Sequence, residues 1–172
     1  LFKGLAMERL ETEWPVHPVL MLSLATYRAD NGGNLEEILD TQFREWEMQY
    51  GVGGETADLS MRFRKIIKAA YESAGQTVVV FVDESDHPLI ETMHDEERLK
   101  SIYVNIKDLD QYIRFTMLTG VSRFSKMTIF SGLNNLKDIS LNRNYATVCG
   151  ITDRELIENF QQGIKRLAEE YS

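Results

Sequence analysis

Three short apolar runs, separated by longer amphipathic segments, set the pattern of the chain. They lie at 18–24, 77–82 and 112–119. Each run is too short for a typical helix, and the second is the most β-prone because it is almost entirely valine and phenylalanine. We therefore predict three strands, with the first buried on both faces and the second in the centre of a sheet.

Between and after these runs, apolar side chains recur at helical spacing. This spacing predicts helices over 35–51 and 59–75, and a last helix that begins at the capping-box sequence 152–155. The composition of roughly 96–108 predicts a further helix there. Strands that alternate with helices are typical of an α/β domain with a mainly parallel sheet.

Composition narrows the class of protein. The chain has 172 residues, of which 43% are hydrophobic, which favours one compact domain with a real core. A net charge of −8 disfavours direct binding to nucleic acid. Cys149 is the only cysteine, and no apolar stretch of about 18 residues occurs, so we expect a cytoplasmic protein without a disulfide.

The candidate chemistry lies at the end of the second run, where Asp83 and Glu84 follow directly. Ligands bind at the carboxyl ends of parallel strands, so this acidic pair would face a binding crevice. In a nucleotide triphosphatase, Asp83 would hold Mg²⁺ and Glu84 would orient or deprotonate the attacking water. The same pattern also fits the solvated start of a turn, and the residues alone leave both interpretations open.

A longer stretch of sequence favours the first interpretation. TVVVFVDESDHPLI at 77–90 resembles the Walker-B block of bacterial AAA-ATPase-like proteins. Segments 114–140 and 144–152 resemble two further blocks of that family, and the opening LFKGL and WPVHPVLMLSL extend the similarity over nearly the whole chain. The resemblance implies a P-loop NTPase-type three-layer α/β sandwich with a mainly parallel sheet, which uses ATP and Mg²⁺.

The resemblance also indicates what the sequence lacks. Relatives have a phosphate-binding loop shortly before the LFxGL segment, whereas no GxxxxGK[ST] motif occurs here. We interpret 1–172 as one partial AAA-ATPase-like domain without its Walker-A strand, loop and helix, and nearly inactive by itself. The missing strand would lie centrally, so we expect an exposed sheet edge and consider a homodimer through it.

Three further residues are candidates for contacts with phosphate. The resemblance implies that Thr119 senses the γ-phosphate, although its hydroxyl could instead satisfy local backbone groups. Arg123 and Lys126 could bind phosphate charge, with the arginine as a finger, or could be solvated charges.

Two other functions stay open for the parent protein. It could be a nucleotide-gated switch that controls a nuclease-like effector domain, since many relatives carry such a domain, and nucleic acid would then bind only there. The piece could also be an interaction scaffold.

Overall fold

A computed structural model describes residues 3, 6–28, 34–53, 58–88, 95–121, 135–148 and 150–171. These residues form two compact units, Leu1–Asn135 and Leu136–Ser172. The first unit contains the sheet and most of the helices. The prediction of one partial domain over the whole chain stays a prediction.

The sheet has three parallel strands in the order β1 (Val19–Ser23), β2 (Val78–Asp83) and β3 (Ile113–Leu118). All three predicted strands and the central position of the second are confirmed. The predicted α/β class with a parallel sheet is also confirmed, whereas the three-layer P-loop arrangement stays a prediction.

Helices pack on one face of this sheet, which we call the inner face. Helix α1 (Ala6–Leu10) precedes β1, α2 (Leu35–Tyr50) and α3 (Leu59–Ala74) follow it, and α4 (Glu96–Asp108) follows β2. Helix α2 packs against β1 and α3, and α3 packs against β2 and α4. The buried core includes Leu20, Leu22, Val80, Val82, Phe43, Phe63, Ile66, Ile67, Leu99 and Ile102.

The opposite face of the sheet, which we call the outer face, is apolar and largely open. Register partners in neighbouring strands point to the same side, so six apolar side chains lie together there. They are Val19, Met21, Val79, Phe81, Phe115 and Met117. Val19, Met21 and Phe115 are 50%, 58% and 51% exposed. The prediction that the first strand is buried on both faces is therefore wrong, because the outer side chains of β1, Val19 and Met21, are about half exposed.

A buried arginine joins α2 to α3. The guanidinium of Arg62 donates to both carboxylate oxygens of Glu47, at 2.7 and 2.8 Å, and to Asp40 at 2.6 Å. Hydrogen bonds from Arg44 and from Arg62 lower the pKa of the Asp40 carboxyl. Arg62 also lies over the Phe43 ring, so one side chain of α3 contacts three residues of α2.

A glutamine side chain covers part of the free edge of β1. The Gln42 amide accepts from Ser23 N–H and donates to Ser23 C=O, both at 2.9 Å. These are the two bonds that a neighbouring strand would make to Ser23. Gln42 therefore closes the edge of the sheet at this residue.

The second unit is built around α5 (Asp153–Glu170). Thr152 and Glu155 form the predicted capping box, and the Thr152 backbone hydrogen bond lowers the pKa of Glu155. None of the helices in the described ranges combines the length and the hydrophobicity that a membrane span requires.

Candidate functional site

The predicted acidic pair lies at the carboxyl end of the central strand. Asp83 is the last residue of β2, and Thr119 directly follows β3 beside it. The register places Asp83 next to Ser23 of β1, on the outer side of the sheet.

Thr119 binds both residues of the pair. Its hydroxyl donates to Asp83 Oδ1 at 2.5 Å and accepts from the backbone N–H of Glu84 at 3.3 Å. The hydroxyl has one proton and so donates one hydrogen bond, and Asp83 is the acceptor of that bond. Asp83, Glu84 and Thr119 thus form one hydrogen-bonded group, although Thr119 is 36 positions from Asp83 in sequence.

Glu84 has a left-handed backbone conformation, with φ at 56°. Among the residues that the structure describes, it is the one non-glycine residue with a positive φ. Both of its backbone groups are bonded, because its N–H donates to Thr119 and its C=O accepts from His87 N–H at 3.0 Å. A conformation that is disfavoured for glutamate is held from both sides, and such conformations concentrate at functional sites.

Ser85 strengthens the connection between the ends of β2 and β3. Its N–H and its hydroxyl both donate to the Thr119 carbonyl, at 2.9 and 2.7 Å. Ser85 is fully buried, and its own carbonyl accepts from the Tyr103 hydroxyl at 3.4 Å. Burial, together with the nearby charge of Asp86, raises the pKa of the Tyr103 hydroxyl well above its usual range.

The carboxylate of Asp86 lies directly against Gly120. Asp86 is 2% exposed, and a Cβ atom at position 120 would lie 2.7 Å from its Cγ. No side chain fits in that space. Glycine therefore allows the turn after β3 to approach the loop after β2.

The loop after β1 also joins this end of the sheet. The Tyr27 hydroxyl donates to the buried Asp95 carboxylate at 2.9 Å, and the Tyr27 ring lies edge-on to His87 with centroids 5.9 Å apart. The loop after β1 therefore packs against the loop after β2 at His87.

Asp83 provides one carboxylate of the kind that magnesium binds. Within the described ranges, no group of three or more His, Cys, Asp or Glu side chains is arranged to hold a metal by itself. Magnesium usually binds proteins through one or two carboxylates, with phosphate and water oxygens completing its shell. The partly buried Asp83 supplies one such carboxylate.

Of the predicted site residues, Asp83, Glu84 and Thr119 lie together. Arg123 and Lys126 lie outside the described residues. Sequence reasoning missed Ser85, Tyr103 and Gly120 as parts of this network. Ser85 and Gly120 had one available signal, since each immediately follows a predicted site residue, whereas Tyr103 looked like any apolar position of its helix.

Comparison with known proteins gives two matches. Residues 1–130 match the family described as Predicted AAA-ATPase. The chain is 35% identical over 164 residues to the protein named "Uncharacterized protein in vnfD 5'region" from Azotobacter chroococcum mcd 1. That alignment covers 91% of this chain, which spans 32% of the length of the relative. No solved structure matches the chain.

Proposed function

Because the chain belongs to the predicted AAA-ATPase family, we propose that it carries the magnesium-binding and water-activating half of an ATP-hydrolysing site. One observation carries the proposal. The end of the central parallel strand presents Asp83 and Glu84, and Thr119 from the neighbouring strand bonds to both. A purely solvated turn would not need that cross-strand connection.

Each residue of the pair has a separate role in this proposal. Asp83 holds Mg²⁺, which when bound neutralises charge on the β- and γ-phosphates. Glu84 accepts the proton of the attacking water or orients that water. The fixed backbone of Glu84 limits the directions in which its carboxylate can point, which favours a defined position for the water.

Three residues complete the proposed site. Thr119 senses the γ-phosphate, and to donate to a phosphate oxygen its hydroxyl must first release Asp83. Arg123 and Lys126 bind phosphate charge, with Arg123 as the better candidate for developing charge in the transition state.

The phosphate-binding loop is proposed to lie upstream of this chain. The sequence contains no GxxxxGK[ST] motif, and a P-loop ATPase needs that loop to bind the phosphates. We therefore expect residues 1–172 alone to bind Mg-ATP weakly and to hydrolyse it very slowly. Calorimetric detection of micromolar Mg-ATP binding by this chain would contradict that expectation.

The contact between Thr119 and Asp83 also favours a second function. The Thr119 hydroxyl donates to Asp83, and if it turned to a bound phosphate instead, that change would report nucleotide binding to the strand ends. The parent protein would then be a nucleotide-gated switch with slow turnover, acting on a nuclease-like effector domain. As a third function, the open outer face suits an interaction scaffold.

The test is ATP hydrolysis by the chain extended by its natural upstream residues through the phosphate-binding loop. We expect Glu84→Gln to lower kcat about 10²- to 10⁴-fold while ATP binding is retained, because the amide cannot accept the proton. The control is Glu97→Gln on α4. The Glu97 side chain is 84% exposed and has no role in the proposed site.

The outcomes separate the candidate functions. Equal rates for the Glu84→Gln and unchanged proteins would reject Glu84 as the base. Tight ATP binding without hydrolysis in the unchanged protein would favour the switch. Neither binding nor hydrolysis would leave the scaffold as the better description.

A further inference from the structure

Ser85 makes two hydrogen bonds to one acceptor. Its backbone N–H and its hydroxyl both donate to the carbonyl of Thr119, at 2.9 and 2.7 Å. A backbone carbonyl has two lone pairs, and both are used here by one residue. The backbone N–H already joins the two loops, so the hydroxyl adds a second attachment at the same point.

The backbone of Thr119 is consequently held on both sides. Its N–H donates to the Val82 carbonyl at 2.9 Å, and its C=O is fixed by Ser85. The hydroxyl of Thr119 extends from this fixed backbone to Asp83 and to the Glu84 N–H. Any movement of the Thr119 backbone would change both of these contacts together.

We propose that Ser85 is a positioning residue of the nucleotide site, whose buried hydroxyl fixes Thr119 so that Thr119 can hold Asp83 and the left-handed backbone of Glu84. This inference rests on the proposed function of the acidic pair. Ser85 itself touches neither metal nor water in this scheme, and it acts only through Thr119.

The surroundings of Ser85 explain why the position has a hydroxyl rather than a methyl group. The residue is fully buried, so its hydroxyl must be hydrogen-bonded to be tolerated, and the Thr119 carbonyl provides that bond. Ser85 is also held from α4, because Tyr103 donates to its carbonyl. Alanine would fill much of the same space but would lose the second attachment.

The test measures amide hydrogen exchange in the full chain, with three variants. Ser85→Ala removes the hydroxyl, Ser85→Cys keeps a similar volume with a much weaker donor, and Thr119→Val removes the hydroxyl that contacts the pair. The amides of Glu84 and residue 85 report the network, and the amide of Ile67 in the core of α3 reports global unfolding.

We expect both Ser85 variants to lower the protection factors of the two network amides about tenfold, while that of Ile67 stays unchanged. Thr119→Val should reproduce the loss at Glu84. If Ser85→Ala does not fold, the cysteine variant provides the same comparison.

Three results would overturn the inference. Protection could stay unchanged, could fall equally at Ile67, or could fall in the alanine variant alone, which would show that Ser85 only fills space. In the extended protein that hydrolyses ATP, Ser85→Cys should also lower kcat with little change in KM. Failure of the proposed function would appear separately, as equal hydrolysis by the Glu84→Gln protein, and would leave the exchange results intact.

Discussion

At the residue scale, the loops at the ends of β2 and β3 are packed so closely that one added methyl group would displace a neighbouring side chain. Gly120 meets the Asp86 carboxylate where no Cβ atom fits, and Tyr103 carries a buried hydroxyl near the same charge. Both residues support the acidic pair without belonging to it. Each allows a prediction about stability.

Gly120→Ala should lower the free energy of unfolding by about 1–3 kcal/mol, because the new methyl group must displace Asp86. Urea denaturation measures this change. The matched control is Gly163→Ala in α5, where nothing lies within 4 Å. There alanine should be neutral or should stabilise the helix by up to about 1 kcal/mol. Similar effects at both positions would show that the contact at Gly120 is unimportant.

Tyr103 should make the protein sensitive to alkali. Its pKa in the folded state is raised above the ordinary value of 10.0, so the folded state keeps this proton longer than the unfolded state does. The resulting stability is fully present below pH 10 and is lost as the pH rises further. Thermal unfolding at a series of pH values from about 8 to 11 measures the loss.

Tyr103→Phe should flatten that dependence on pH, although it removes the hydrogen bond to Ser85. Tyr171→Phe is the control, because Tyr171 is 83% exposed. An unchanged slope in the Tyr103 variant would assign the alkaline sensitivity to another group.

At the element scale, helices α2 and α3 are joined by Arg62, whose planar guanidinium meets two carboxylates at once. Asp40 contributes stability above its unfolded pKa of 3.8, and this contribution is lost as the pH falls through its lowered value in the folded state. Asp40 is 35% exposed, so solvent screens part of that contribution.

Arg62→Lys should destabilise the protein by about 1–3 kcal/mol, because an ammonium group keeps the charge but loses the paired bonds to Glu47. Arg64→Lys is the control, since Arg64 is 36% exposed and lies 3.8 Å from Asp108. Denaturant unfolding compares the two. An equal loss in both variants would indicate that the geometry of the guanidinium is irrelevant.

The elements themselves were readable from the sequence, whereas their surroundings were not. Helix α4 spans Glu96–Asp108, close to the range that its composition predicted, because helix propensity is a local property. Burial of β1 on both faces was wrong, because burial depends on which other elements pack on the sheet. Continuous apolar sequence does not carry that information.

The candidate site was predictable to a similar extent. Asp83 and Glu84 became candidates because they follow a strand, and the family resemblance then favoured them and implied the role of Thr119. Ser85 and Tyr103 contact backbone carbonyls that are 34 and 18 positions away in sequence. Such bonds leave no periodic signal, so only the folded chain shows them.

At the scale of the whole molecule, the outer face and the free edge of β3 are the surfaces on which further structure could pack. Alternation along a parallel strand directs the backbone groups of Thr116 and Leu118 away from β2. Among the described residues, no hydrogen bond occupies these groups. A homodimer in which two β3 strands pair is therefore still our proposal for the isolated chain.

Thr116→Pro should weaken such a dimer without breaking the pairing of β3 with β2, because the N–H that it removes points outward. Size-exclusion chromatography with light scattering measures the mass at several concentrations. Thr116→Val keeps the N–H and should remain dimeric. A stable monomer of the unchanged chain at all concentrations would reject the proposal.

The amide of Gln42 makes the two edges of the sheet unequal in their capacity to pair with another strand. By imitating one residue of a neighbouring strand at Ser23, it leaves β1 only a short stretch on which another strand could pair. A sheet with two edges available for strand pairing can add copies without limit and form fibres. A sheet with one available edge has none left after it pairs with a second copy. A single amide side chain thus favours closed pairs over open-ended polymers.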